Sequence, residues 1–531
     1  MSTSELASGS SLQIVDGDLP EGWALGRVGD LFDLVNGYPF KPSQWQEHGR
    51  PIIRIQNLNN PNAAFNRCPD HIPEKYLVRN GALLFAWSGT PGTSFGAHIW
   101  AGETGWLNQH IFRVDFDDDQ LDKQFLRLAI NINLQDYIEQ AHGGVGLAHI
   151  TKSKFDASHL RVPPLTEQRR IVAKVEEVLA HVNSANARLA KVPALLKRFR
   201  RAVLAAACSG RLTADWRERQ DELEEGSAFL ERILCERQRL WESEQLRALR
   251  MGGQIPSDSK WLLRYKPPEP AAADELSQLP EGWLWASVES LSTKVVDGVH
   301  KTPTYVDRGV PFVTVRNLTA GRGISFDELN YITEEDHTKF IERANPENGD
   351  ILVSKDGTLG VIRAIRTDRT FSIFVSVALI KLVSKQMTDY MEIALSSPQV
   401  QRQMVGTGSG LQHIHLRDLR SDCVPLPSLQ EQQEIVRRVC ALFTLADAIE
   451  QRVAVATRRA DKLTQSILAK AFRGELVPTE AELARREGRE YEPASVLLER
   501  IKKEKASLDS GKTLRSKRAA SRGRKRSTIS A

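Results

Sequence analysis

Twelve histidines, five cysteines and many carboxylates supply this chain with the side chains from which active sites are built, but their spacing builds none that is familiar. No H-E-x-x-H pair occurs, and Cys68, Cys208, Cys235, Cys423 and Cys440 form no C-x-x-C. Neither a zinc site nor a disulfide frame is expected, and the thiols read as reduced. The run Gly406-Thr407-Gly408-Ser409-Gly410 looks like a cofactor loop, yet it follows no strand-like run, and its counterpart Gly143-Gly144-Val145-Gly146 lacks the alternation. Gly511-Lys512-Thr513 ends like a phosphate-binding loop, but Ala506 stands where the upstream glycine is required. Adenine methylation would need an N-P-P-F-like or D-P-P-Y-like loop for the flipped base, and neither is present. No catalytic residue, cofactor or metal is therefore assigned to this chain. Binding chemistry remains, and His149 and His413 introduce it. Both sit in glycine-bounded loops, where a structural and a functional histidine fit equally well.

Those two loops belong to a repeat. Leu19-Pro20-Glu21-Gly22-Trp23 recurs as Leu279-Pro280-Glu281-Gly282-Trp283, and Asn57-Leu58 recurs as Asn317-Leu318 at the same offset of 260. Asn80-Gly81-Ala82-Leu83-Leu84 matches Asn348-Gly349-Asp350-Ile351-Leu352, and Gly146-Leu147-Ala148-His149-Ile150 matches Gly410-Leu411-Gln412-His413-Ile414. Glu167-Gln168 pairs with Glu431-Gln432, and Gly210 with Gly474. Offsets that drift by a few residues are what loop insertions between two copies of one fold produce.

Each copy opens with a region dense in Gly, Pro and aromatics whose apolar runs, such as Pro51-Ile52-Ile53 and Pro311-Phe312-Val313, are of strand length. After Pro163-Pro164 and Pro425 to Pro427 the texture becomes helical, and Ser428-Leu429-Gln430-Glu431 has capping-box spacing. Apolar residues then recur at 4,3 spacing from Ile171 through Val175, Val178, Val182, Ala185, Leu189, Val192, Leu196, Phe199 and Val203 to Ala206. The second copy keeps the stripe from Ile435 through Leu463 and Ile467, with Lys470 the one polar exception. Two long stripes of equal length predict two helices of about 54 Å that pair along a seam. Pro193, where the second copy has Thr457, predicts a break in the first.

Net charge is +5, but residues 502–531 carry eleven Lys and Arg against two acids, leaving 61 basic and 65 acidic residues in 1–501. The tail is expected to be disordered, either solvated or clamping phosphates. No apolar run approaches the roughly 18 residues of a membrane helix, and Met1 to Ser11 carries no secretion signal, so a cytoplasmic protein is expected.

The P-E-G-W starts, the N-G-x-x-L runs leading into Ser88-Gly89-Thr90 and Lys355-Asp356-Gly357-Thr358, the G-L-x-H-I loops and the helix openings together carry a resemblance. Pro164-Leu165-Thr166-Glu167-Gln168-Arg169-Arg170-Ile171-Val172 is one such opening. They resemble the specificity subunit of type I restriction-modification systems, over roughly residues 19 to 505. The resemblance implies an α+β fold: two mixed α/β target-recognition domains separated by two long antiparallel coiled-coil helices, in a tandem pseudo-symmetric repeat. The domains would be 1–165 and 279–427, with helical spacer and assembly regions at 166–250 and 428–505, a linker at 251–278 and the basic tail at 506–531. Each recognition domain would read half of a split site in double-stranded DNA. The helices would set the spacer and dock two methyltransferase subunits and, through them, restriction and translocase subunits. S-adenosylmethionine, ATP and Mg would belong to those partners.

Copy comparison nominates the readers, because shared positions should be scaffold and differing polar positions on shared loops should carry sequence information. Arg54-Ile55-Gln56 opposes Thr314-Val315-Arg316; Trp87-Ser88 opposes Lys355-Asp356, with Thr90 and Thr358 two positions on; Gln412 opposes Ala148, beside His149 and His413. Lys152, Lys154, Arg417 and Arg420 follow the histidine loops and suit phosphate contacts. A single-chain methyltransferase or nuclease with an unrecognised site, and a coiled-coil scaffold that binds no DNA, are the alternatives.

Overall fold

Arg54 to Arg420 can be located only once the two copies are laid out. The computed structural model describes residues 19–60, 63–69, 71–89, 94–134, 137, 148–253, 258–406 and 412–507. Thr90, the glycine-rich residues 143–146 and 407–410, and the basic tail from residue 508 onward lie outside them. The chain divides into two units, Met1–Ala190 with Val453–Ala531, and Lys191–Arg452.

In the first unit, strand Ala24–Arg27 pairs antiparallel with His159–Val162, closing the start of the β-rich globule on its end. A four-stranded antiparallel sheet follows the order Asp33–Asn36, Ile111–Asp115, Leu83–Ala86, Gly96–Ile99. All four residues of Leu83–Ala86 are buried, which is why this strand reads as a continuous apolar run rather than an alternating one. Leu83 and Phe85 face the main core while Leu84 faces a smaller cluster with Trp100 and Ile111. A second sheet sets Arg50–Ile53 parallel to Gly105–Leu107.

The second unit repeats the plan. Leu284–Ser287 pairs with Cys423–Leu426, and a sheet runs Ser292–Asp297, Val377–Leu382, Ile351–Ser354, Ile362–Ala364. Val310–Val313 lies parallel to Ser372–Ile373, as Arg50–Ile53 does to Gly105–Leu107. Matching strand order and matching parallel pairs make the duplication a duplication of fold.

The helices are long, as the stripes require. One runs Leu165–Leu189 and another Val192–Cys208, with Pro193 in the first turn of the latter. Proline is tolerated there because a first-turn N–H has no intrahelical partner, so the expected break falls at Ala190 and Lys191. Leu429–Phe472 is continuous over 44 residues. There Thr457 bonds back to the Val453 carbonyl at 3.0 Å.

Within the first unit, Ile171, Val175, Leu179 and Val182 share one core with Ile467, Leu468, Ala471 and Phe472 and with the β-rich globule. In the second, Val203, Ala207 and Cys208 do the same with Ile435 and Val439. The start of one helix thus lies with the end of the other, the antiparallel arrangement. The strict 4,3 stripe is not followed throughout. Ala185 is exposed, Leu463 is 50% exposed, and Thr464 and Leu468 are buried beside Ile467. A straight helix drifts by about 20° per heptad from a 3.5-residue repeat, and near the globules each helix must bury a wider face than a two-helix seam.

The linker is also packed over its described residues 258–278. Trp261 stacks on Trp241 of the helix Gly226–Met251, and the Trp285 indole donates to the Ser277 carbonyl.

Phe472 is 2% exposed, with its ring 5.3 Å from that of Phe125 in the helix Lys123–Ile132 of the β-rich globule. Phe472→Ala should destabilise the first unit by about 3–5 kcal/mol in denaturant titrations. A loss below ~1 kcal/mol would mean that the end of the second long helix is not part of that core.

Candidate nucleic-acid interface

The shared residues turn out to be joints. Glu167 is fully buried; its Oε1 accepts the Trp23 indole N–H at 2.7 Å and its Oε2 the Glu480 backbone N–H at 2.8 Å. Glu431 accepts the Trp283 indole at 2.8 Å and the Thr213 hydroxyl at 2.7 Å, and Arg217 pairs with it. Gln168 and Gln432 each donate Nε2 to a proline carbonyl, Pro163 and Pro427. Glu431 does not complete the capping box expected from Ser428. The Ser428 hydroxyl accepts the Glu431 N–H, but the carboxylate is taken by Trp283, Thr213 and Arg217. Gly210 and Gly474 have φ of +71° and +73°, and a Cβ at either would come within 2.5 Å of a proline ring, Pro280 or Pro20. Only glycine satisfies both demands.

On these joints each copy presents the same three loop features. The first is a short helix after the parallel strand, Ile55–Asn59 or Val315–Thr319. Its buried Asn57 or Asn317 accepts the N–H of Arg54 or Thr314 and donates across the loop to the Ala63 or Ser325 carbonyl, at 3.3 Å in both copies. The second is the end of the central strand, where Ser88 pairs with His149 and Asp356 bridges to His413. The Ile150 N–H donates to the Trp87 carbonyl and the Ile414 N–H to the Lys355 carbonyl, so the register is the same. The third is the helix after the histidine, Lys152–Ala157 or Leu416–Ser421.

The nominated side chains are of two kinds. Gln56, Thr358, Gln412 and Arg417 are exposed, and Arg417 has no ion-pair partner among the described residues. Arg316 is exposed and pairs with Glu328, whose φ of +50° is unique among the described non-glycine residues. Ser88, Lys154 and His413 are half-buried, and the His413 ring lies edge-on to His415 at 4.3 Å. Arg54 lies over the Trp45 ring at 5.2 Å. Lys152 donates to the Leu34 carbonyl and Arg420 to the Val295 carbonyl, so each also ties its helix to a neighbouring strand. Lys355 is 8% exposed, with its ammonium 3.4 Å from Asp297. Burial alone would raise the Asp297 carboxyl, but the Arg343 hydrogen bond and the charges of Lys355, Arg343 and His300 hold it below its usual range. Trp87 takes the Lys355 position in the first copy and stacks on Phe112 at 5.7 Å.

Trp45, Asp297 and Arg343 escape the sequence comparison because they lie outside the repeated motifs that nominate the other residues. Among the described residues no group of His, Cys, Asp or Glu could hold a metal ion, and no helix is long and apolar enough to cross a membrane. Desolvation lowers the half-buried His98 to about 4, and its Nε2 lies 3.2 Å from the Ser94 carbonyl.

A family model described as the type I restriction modification DNA specificity domain matches residues 20–194 and 300–455. The chain is 31% identical over 509 residues to the type I restriction enzyme EcoBI specificity subunit of Escherichia coli, spanning 94% of this chain and 95% of that one. It is 28% identical to the EcoKI specificity subunit of Escherichia coli K12, spanning 94% and 99%. A solved structure from work on complex assembly and conformational transition of the type I R-M system shares the fold, with a TM-score of 0.55 at 17% identity, covering 86% of this chain and 99% of that one.

Asp422 follows the helix that carries Arg417 and Arg420; it is 5% exposed, and its Oδ2 has no hydrogen-bond partner. Desolvation, with Asp418 nearby, pushes its carboxyl up to about 7. The folded state therefore holds a proton that the unfolded chain releases near pH 4, and stability should fall as pH rises from about 4 to about 7. Asp422→Asn should remove that decline, making the variant more stable than wild type at pH 8 by roughly 2–4 kcal/mol. Urea titrations at pH 5 and pH 8 read this directly; identical pH dependence in both proteins would show that Asp422 is ionised in the folded state.

Proposed function

The chain belongs to the type I restriction-modification DNA specificity family, and on that premise we propose that its two recognition domains each read one half of a bipartite DNA site. It is a non-catalytic DNA sequence-recognition subunit of a restriction-modification complex. The observation that carries the two-domain reading is one loop scaffold built twice with different polar groups on it. Asn57 and Asn317 make the same bonds, while Gln56 and Arg316 beside them differ. Two halves of an asymmetric site need different donor and acceptor patterns in the major groove, where an arginine suits guanine and a glutamine suits adenine. Arg316, Gln412, Thr358 and Gln56 are the base readers in this reading. Arg417, Lys152, Lys154 and Arg420 hold phosphates. Arg54, Ser88, Thr90, His149 and His413 are further DNA contacts in this reading, and Lys355 acts through its ion pair with Asp297.

The paired helices set the spacing and dock two methyltransferase subunits, which bring restriction subunits. S-adenosylmethionine, ATP and Mg act in those partners, in the cytoplasm where the complex meets DNA. The EcoBI and EcoKI relatives, named as specificity subunits of restriction enzymes, support this division of labour.

Exchanging Leu279 to Pro427 for the matching domain of a relative, and mapping methylated adenines in cells that carry the complex, tests the modular reading. One half of the recognised sequence should change and the other persist; a change in both halves would sink it. Gln412→Ala should relax discrimination at one position of one half-site by about 1–3 kcal/mol. Uniform weakening over all sequences would instead assign Gln412 to a phosphate.

A further inference from the structure

The loop after the short helix Val315–Thr319 is tied down at three points. Asn317 closes its base, donating to the Ser325 carbonyl while its own carbonyl accepts the Ser325 N–H. Arg363, on the edge strand Ile362–Ala364, donates to the carbonyls of Gly321 and Gly323. Arg322, at the tip, reaches out of the recognition domain to the helix Leu429–Phe472, where it pairs with Asp447 and lies 3.0 Å from Glu450. Arg200 of the helix Val192–Cys208 reaches the same two carboxylates, at 2.8 Å each.

Two arginines from different elements therefore share two carboxylates one helical turn apart. Hydrogen bonding from Arg322, and secondarily from Arg200, outweighs desolvation and keeps the Asp447 carboxyl below its usual range. The lobe that carries Val315–Thr319 has its own core around Val313, Leu318 and Phe371, to which the long helices contribute no residue. Its polar link to them, among the described residues, is Arg322. The first copy has no such set: the residues 264 positions before Asp447 and Glu450 are Asn183 and Asn186, and the residue 264 after Arg200 is Thr464.

We propose that Arg322, Asp447 and Glu450 form a clamp that fixes the reading loop of the second domain on the helix pair and so enforces the gap at which the second half-site is accepted. This rests on the reading of the chain as a bipartite DNA reader. One added base pair moves a half-site by about 3.4 Å and turns it by about 34°. A loop free to shift on its lobe absorbs part of that displacement; a loop tied to two helices resists it. Arg322 is a positioning residue and touches no base. Exposed ion pairs are individually weak, so the selectivity at stake is modest, and sharing of the carboxylates by Arg200 means that Arg322 can be removed without leaving them unpaired.

The test uses the chain assembled with its methyltransferase subunits and two DNA substrates that keep both half-sites but differ by one base pair in the gap. Wild type should methylate the native gap preferentially. Arg322→Ala, and separately Asp447→Asn combined with Glu450→Gln, should lose about tenfold of that preference while rejecting half-site mismatches as wild type does. Arg322→Lys, which keeps a charge, should recover part of it. Arg322 is 58% exposed and its removal leaves both carboxylates paired with Arg200, so wild-type melting is expected for Arg322→Ala and Arg322→Lys, whereas the double variant also frees Arg200, 22% exposed, and should melt slightly lower. Unchanged gap preference in Arg322→Ala and the double variant overturns the clamp. So does a parallel loss of half-site discrimination, which would mark general structural damage. Absence of any bipartite methylated sequence for wild type would overturn the underlying function instead.

Discussion

A buried carboxylate is the constraint on which each unit depends. Glu167 and Glu431 sit in the first turn of their helices, 0% and 1% exposed, where an unpaired charge would cost several kcal/mol. Desolvation raises the Glu167 carboxyl, and the bonds from the Glu480 N–H and the Trp23 indole oppose it. Three segments of the chain meet at this carboxylate: the helix start that carries it, and the P-E-G-W turn and the segment beyond the glycine that ends the other long helix, which supply the two donors. The carboxylate is satisfied only when all three have arrived, so closure of the recognition domain and pairing of the helices are one event. The same turn also receives the following helix, since the Gly22 carbonyl accepts the Ala494 N–H and the Gly282 carbonyl the Gly226 N–H.

This explains why the first unit contains both ends of the chain and the second its middle. Each glutamate takes donors contributed by the other copy's half of the sequence: Glu480 for Glu167, Thr213 and Arg217 for Glu431. A tandem repeat closed in this crossed manner does not consist of two independent halves laid end to end. Motifs that look like candidate chemistry, a recurring tryptophan opposite a glutamate, are here joints, and the groups free to meet another molecule lie on loops that the joints hold in register.

Much of that was legible in the sequence, and where it was not the reason is physical. The duplication, the strands around Leu83 and Ile351, the long helices and the break just before Pro193 follow from periodicity and from proline's missing N–H, which are local properties. The capping box at Ser428 was half misread because Glu431 had a better partner 148 residues away in Trp283. Leu463 was placed on the seam by spacing, yet it is 50% exposed because the helix drifts and turns its neighbours inward.

The nominated readers divide in the same way. That positions 56, 316 and 412 differ between copies on shared loops is written in the sequence, since it needs only an alignment of the chain with itself. That Lys355 faces Asp297, that Arg54 lies over Trp45, and that Arg322 reaches Asp447 across 125 residues of chain is not. Local patterning determines which segments form helices and strands and which residue types they offer, because those depend on neighbours within a few positions. Which charged group is neutralised inside the domain and which is left facing outward depends on what the fold brings within about 4 Å, and only the tertiary structure decided it.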